Sequence, residues 1–198
     1  IFKGTFMMGV MVLSVLLFMG RSKPIRENFI WLDEMFALFD IILLCSLLSV
    51  WGYWQFANPV EQWTEFVGSD VLIMGGIGGL IGVAIYLYES LIKTPGNNPA
   101  LSDYLYILSA VSVTVWWIIS AQELTERMGG PVPAPVVFFS GMLVAVSFDV
   151  ARRVVGSFIP LIGFLFFIYS FEPVANAMPG LLQHPGYPFH RVMEFLML

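Results

Sequence analysis

The sequence predicts an all-α protein, a polytopic transmembrane helical bundle with about six spans and the start of another helix. Three observations carry that expectation. Of the 198 residues, 58% are apolar and 12% charged, and the mean hydropathy is +0.83. Soluble domains average about 45–50% apolar and about 25% charged, so a surface of this composition belongs in lipid. The apolar residues also gather into runs approaching the roughly 20 that carry a helix across a hydrocarbon core. Finally, the few Lys and Arg residues fall in alternate connections between the runs.

The runs cover about residues 6–19, 35–57, 71–92, 104–121, 136–150 and 154–171, with a further helix starting near Arg191. The first, fifth and sixth are short. Only Asp149-Val-Ala-Arg-Arg separates the fifth from the sixth. One continuous helix over 136–171 would be on the order of 50 Å long against a core of about 30 Å. It would also put Arg152 and Arg153 near the membrane centre, where charge is expensive. Two helices meeting at an interfacial Arg-Arg-Val-Val-Gly bend avoid both problems, with Gly156 as the flexible point and Pro160 as the restart.

Basic residues orient the runs. Arg21, Lys23 and Arg26 share one connection; Lys93 and the Arg152/Arg153 pair mark two more. The alternate connections carry Glu61, Glu65 and Asp70, then Glu123, Glu126 and a single Arg127; residues 172–190 have no Lys or Arg. The positive-inside rule puts the basic turns in the cytoplasm and 172–190 outside. Trp51, Tyr53, Trp54 and Trp63 in the outer turns fit headgroup-level anchors. The two hairpins over residues 31–92 and 101–150 share a loose pattern. Each opens on an acid-flanked start, Trp31-Leu-Asp33 and Leu101-Ser-Asp103, and closes on a carboxylate, Glu89 and Asp149.

Composition excludes some classes of function. There is no basic cluster with interleaved aromatics, so no nucleic-acid partner is expected. Cys45 is the one cysteine, which rules out an intrachain disulfide and a Cys-based zinc site. The chain opens on Ile1-Phe2-Lys3 and stops within an apolar stretch, so a longer parent polypeptide is expected.

Four groups of residues are candidates for specific work. Gly75, Gly78, Gly79 and Gly82 form two Gly-x-x-x-Gly pairs mid-span, a pattern that lets a second helix backbone approach. Asp149, Arg152 and Arg153 sit at i, i+3 and i+4, on one side of a helix. At the membrane face they would pair with one another, hold a lipid headgroup phosphate, or dock a neighbouring domain; the planar guanidinium fork suits phosphate. Asp40 and Glu89 lie within runs but near their cytoplasmic ends, where snorkelling is expected and proton coupling is the functional alternative. His184 and His190 bracket a Pro/Gly-rich turn and lack the further ligands a metal site needs. No zinc-protease motif, Ser/His/Asp set, Walker sequence or haem attachment motif occurs, so neither an enzyme nor a metal or cofactor site is expected.

The C-terminal quarter carries a resemblance. Asp149, Arg152, Arg153 and Gly156 are followed by a run ending in Tyr169, then Pro179, Gly180, His184, Gly186 and Tyr187, then Arg191. In order and spacing this resembles the junction in fused permeases of TRAP transporters (tripartite ATP-independent periplasmic transporters) of the TAXI type. Trp31-Leu-Asp33 resembles the same family more faintly. The departures are an extra hairpin before the Arg-Arg turn, Asp149 where Glu is common, and Pro185 where Arg is common. The resemblance implies a small-subunit scaffold over residues 1–172, a periplasmic linker over 173–190 and the start of the large transport subunit over 191–198. It implies a secondary active transporter of organic anions, typically carboxylates, working with a periplasmic TAXI-type binding protein and a large elevator-like transport domain. Its Na+ or H+ coupling ion and its substrate would bind outside this chain. A stand-alone membrane anchor and a proton-coupled small carrier are the alternatives.

Overall fold

A computed structural model of the chain describes residues 9–12, 30–56, 68–92, 99–126 and 130–197. Among the described residues, four helices are long and apolar enough to cross a membrane: α1 (Ile30–Phe56), α2 (Ser69–Ile92), α3 (Leu101–Glu126) and α4 (Ala134–Val155). Helix is the expected answer for such sequences, because lipid offers no partner for backbone N–H and C=O groups and a helix satisfies them internally. At 1.5 Å per residue the shortest, α4 with 22 residues, is about 33 Å long and spans the core. The first predicted run lies mostly outside the described residues; 9–12 are helical.

The four helices alternate in direction, which gives the bundle two ends. At one, Asp33 of α1, Glu89 of α2, Asp103 of α3 and Arg152 of α4 come together. At the other, Trp54 of α1 is buried beside Ala134 of α4, with Val71 of α2 against them. Helix α4 is the core of the bundle. It packs on α1 and α3, and 61% of its apolar window is buried, against 17–28% for the others. The aromatic rings expected as headgroup anchors partly serve this core. Trp51 stacks on Phe138 at 4.5 Å and Trp54 is 5% exposed; Trp116, which is not one of that set, stacks on Phe139 at 4.6 Å. Tyr53 keeps a polar contact, its hydroxyl donating to Asp70 Oδ2 at 3.2 Å. Trp63 lies outside the described residues.

Helix α2 meets the bundle mainly through α1, and glycines set the approach. A Cβ on Gly78 would lie 2.7 Å from Ser46 Cα, and one on Gly82 would lie 2.9 Å from Ile42 Cα. These are backbone atoms that cannot swing aside. Gly79 is looser, 3.3 Å from Ser46 Oγ, and Gly75 looser still, 3.7 Å from Val50. The outer face of α2, with Leu72, Ile73, Leu80, Leu87 and Leu91, is exposed.

The break after α4 falls at Gly156, whose φ of +93° and ψ of 167° favour glycine. The next helix, α5 (Phe158–Tyr169), has 12 residues, about 18 Å, half the depth of a core. The sixth run therefore supplies a half-length helix rather than a full span. It packs back on α4, with Phe164 and Phe167 edge-on to Phe148.

The reason α5 stops is local. Ser170 N–H bonds back to Phe166 and Phe167 carbonyls, and Pro173 cannot extend the helix. The chain then forms α6 (Glu172–Ala177), a 3-10 turn (Gly180–Leu182) and α7 (Phe189–Met197). The predicted linker is a folded loop. Tyr187 N–H bonds to Ser170 O at 2.9 Å, and Glu172 N–H to Tyr187 O at 3.0 Å. Gly186 makes that approach feasible. Its φ is +63°, and a Cβ there would lie 2.5 Å from Glu172 Cα. Pro179 precedes the 3-10 turn, and Gly180 opens it at φ +57°. Arg191 pairs with Glu194 on α7 at 2.5 Å. Helix α7 buries Val192, Met193 and Met197, and docks by two bonds to its carbonyls: Ser140 Oγ to Met193 O at 2.6 Å and Trp117 Nε1 to Met197 O at 2.8 Å.

Candidate functional site

The strongest concentration of chemistry lies at the charged end, where α1, α3 and α4 meet. Asp149 stands one helical turn before two arginines and bonds both. Its Oδ1 accepts from Arg152 Nη2 at 2.8 Å and its Oδ2 from Arg153 Nε at 2.5 Å. Each guanidinium then reaches a different helix. Arg152 Nη1 donates to Asp33 Oδ1 of α1 at 2.9 Å, and Arg153 Nη1 to Asp103 Oδ1 of α3 at 2.5 Å. The fork geometry of arginine makes this bridging feasible; a lysine ammonium has no such rigid spread of donors.

The surrounding polar groups hold the acids in place. Ser157, just past the Gly156 break, donates to Asp33 Oδ1 at 3.0 Å. Asp103 is the third residue of α3, and its Oδ2 accepts the backbone N–H of Ala100 at 2.8 Å while its own N–H bonds Ala100 O. That reciprocal pair caps the helix start. Glu89 of α2 closes the same end by accepting Ser102 N–H at 2.7 Å and Ser102 Oγ at 2.9 Å. Its negative charge suits the positive end of the α3 dipole. Tyr86 of α2 donates its hydroxyl to Glu34 of α1. Arg153 also lies 5.5 Å above the Tyr106 ring, a cation–π distance.

Several expectations change here. The sequence places Asp149, Arg152 and Arg153 at the membrane face, pairing with one another, holding a lipid headgroup phosphate or docking a neighbouring domain; the mutual pairing is present, and the position differs. Their side chains are 1%, 3% and 2% exposed, and both guanidiniums turn inward to acids of this chain. For Asp40 and Glu89 the sequence suggests snorkelling, with proton coupling as the functional alternative. Both are buried, Glu89 against the α3 start and Asp40 at 0% exposure. A cavity beside the charged groups, lined by Tyr86, Glu89, Tyr106, Asp149, Arg152 and Arg153, holds about 10 Å3, on the order of one water probe.

Asp33 and Asp103 are the functional residues that sequence reasoning noticed without assigning. They stood out as two similar helix starts; the signal that they pair with the arginines was arithmetic. Two buried guanidiniums at one end of a bundle need acids from neighbouring helices, and these are the acids that alternate helix direction brings there.

Among the described residues, some polar atoms here have no hydrogen-bond partner: both carboxylate oxygens of Asp40, the Tyr106 hydroxyl and Arg152 Nε. Elsewhere, the histidines separate. His184 Nδ1 accepts Gly186 N–H at 2.9 Å, which assigns the ring proton to Nε2 and lets it donate to Tyr169 O at 3.1 Å. Tyr169 in turn donates to Leu182 O. His184 is thus a loop brace, and His190 is the second residue of α7. Among the described residues, no group of three or more His, Cys, Asp or Glu side chains is arranged to hold a metal. Cys45 is buried in the core of α1. An apolar groove of about 390 Å3 runs beside the half-length α5, between α1, α4 and α7, lined by Phe39, Leu47, Phe148 and Phe164 among others.

No protein-family model, curated protein or solved structure matches the chain.

Proposed function

We propose that this chain is the static, non-enzymatic scaffold portion of a TRAP-type secondary transporter for organic anions. It would sit in a bacterial or archaeal cytoplasmic membrane with its charged end toward the cytoplasm. It would work with a large ion-coupled transport domain and a periplasmic TAXI-type binding protein. The observation that carries the reading is the buried bridge from Asp149 through Arg152 and Arg153 to Asp33 and Asp103. An anion-binding site must leave a guanidinium donor open to the ligand. Here each guanidinium is engaged by two carboxylates, and the donor left over, Arg152 Nε, is buried where the cavity that Arg152 lines is about 10 Å3, too small for an organic anion. A binder of organic anions cannot work that way, whereas a helix clamp can. The residues behind the family resemblance play consistent parts: Asp149, Arg152 and Arg153 clamp, while Tyr169, Gly180, His184 and Gly186 fold the loop that returns the chain to α4 through α7.

The apolar outer face of α2 and the groove beside α5 offer surfaces for lipid and for the transport domain. The test is reconstitution in proteoliposomes under a sodium or a proton gradient, with mass spectrometry of accumulated organic anions. This chain alone is expected to accumulate none, and the native assembly containing it is expected to do so only when the periplasmic binding protein is added. Gradient-driven uptake by the chain alone would overturn the scaffold reading in favour of a small carrier.

A further inference from the structure

We propose that Asp40 is a proton-binding site inside the bundle, carrying its carboxyl proton at neutral pH while the helices are packed. Asp40 follows Asp33 by seven residues, two turns of α1, so it lies on the same face about 10 Å deeper in the membrane. It is 0% exposed, and neither of its oxygens finds a donor among the described residues. An ionised carboxylate buried without a hydrogen bond carries the full cost of desolvation. Binding one proton removes that charge and turns the acceptor pair into a donor and an acceptor.

Among the described residues, no cation forms a hydrogen bond or an ion pair with Asp40. Helix α4 presents Asp149, Arg152 and Arg153, which act on Asp40 across space. Their ion pairs are made with Asp33, Asp103 and each other. Helix α3 presents Tyr106, whose hydroxyl is also without a partner. Helix α2 presents Tyr86 and Glu89, bonded to Glu34 and Ser102. Helix α5 has no charged residue and packs on α1 through Phe164. Among the described residues, Asp33, Asp103 and Asp149 share the two guanidiniums, and neither guanidinium bonds Asp40. A proton needs a single oxygen, whereas a metal cation needs a cage that the described residues do not form here.

This inference goes beyond the scaffold reading and does not depend on it. The experiment is infrared spectroscopy of the whole chain in lipid nanodiscs at neutral pH, in H2O and D2O. Wild type is compared with Asp40→Asn and with Asp70→Asn, an exposed control. A carbonyl-stretch band of a protonated carboxylic acid is expected in wild type. It should shift in D2O, disappear in Asp40→Asn and persist in Asp70→Asn. Asp40→Asn replaces a neutral carboxyl with a neutral amide of the same shape, so its melting temperature at neutral pH is expected to match wild type. Should that variant fail to fold, wild type labelled with 13C at its aspartate carboxyls still decides the matter, because the band must then move to lower frequency. Absence of the band, its survival in Asp40→Asn, or its indifference to the aspartate label would each overturn the proposal. So would a sodium-dependent rise in melting temperature that Asp40→Asn abolishes, which would make Asp40 a cation ligand instead.

Discussion

Asp149→Asn is the sharpest perturbation of the clamp, because it changes charge and leaves shape intact. Asp149 makes two charge-assisted bonds, at 2.8 and 2.5 Å, from a side chain 1% exposed. Removing one partner of a buried pair costs about 3–5 kcal/mol when it leaves an uncompensated charge. Here neither arginine is orphaned: Arg152 keeps Asp33 and Arg153 keeps Asp103. The amide oxygen can also accept from one guanidinium, but its NH2 then faces the donors of the other. One lost charge-assisted bond, about 1.5–3 kcal/mol, plus that donor–donor conflict, on the order of 1 kcal/mol, gives an expected loss of about 3 kcal/mol. The assay is reversible denaturation in mixed micelles followed by circular dichroism, with Arg153→Met and the double variant completing a cycle. The double variant should lose much less than the sum of the singles, because the two groups share one bond. A loss below about 1 kcal/mol, with additive singles, would match exposed pairs and refute the reading of a dry, coupled clamp.

Three further outcomes follow from the packing. Gly78→Ala puts a methyl 2.7 Å from Ser46 Cα, while Gly76→Ala meets nothing within 4 Å; the first is expected to destabilise by about 1–3 kcal/mol and the second to be neutral or slightly stabilising, read by the same denaturation. Trp117→Phe removes the donor to Met197 O and is expected to cost about 0.5–1.5 kcal/mol, seen as faster hydrogen exchange confined to residues 189–197. Gly186→Ala is strained at φ +63° and collides with the Glu172 backbone; faster proteolysis between residues 178 and 190, with unchanged melting of the four long helices, is the expected result.

The sequence made the membrane helices legible because their signal is local. Length and apolar content alone place α1 through α4, and the charge of Arg152 and Arg153 forces a break that Gly156 supplies. The half-length of α5 was not legible from hydropathy, since residues 158–169 are as apolar as any span; the stop comes from the turn at Ser170 and from Pro173, and the Phe171–Tyr187 bridge then holds the returning chain. The glycines pointed to close packing, and the structure ranks them: Gly78 and Gly82 meet backbone, while Gly75 and Gly79 meet side chains.

The direction in which the arginines turn was the harder question. Hydropathy assigns a cost to charge at depth and therefore pushes Arg152 and Arg153 to the surface. That reasoning treats each charge by itself. Burial becomes tolerable when acids on other helices meet the guanidiniums with good geometry, as Asp33 and Asp103 do across separations of 119 and 50 residues. Such pairing adds little net stability over an apolar core, but it penalises every wrong helix register, since a slip of one turn would strand a charge in lipid. Apolar faces alone specify register weakly in a membrane, where lipid tails compete with every side chain. The same logic sets Asp40 apart. It shares the face of Asp33 yet meets no guanidinium among the described residues, and a register clamp has no use for it. A group that the clamp leaves unanswered at that depth calls for an exchangeable counter-charge, and a proton is the smallest one the packing admits.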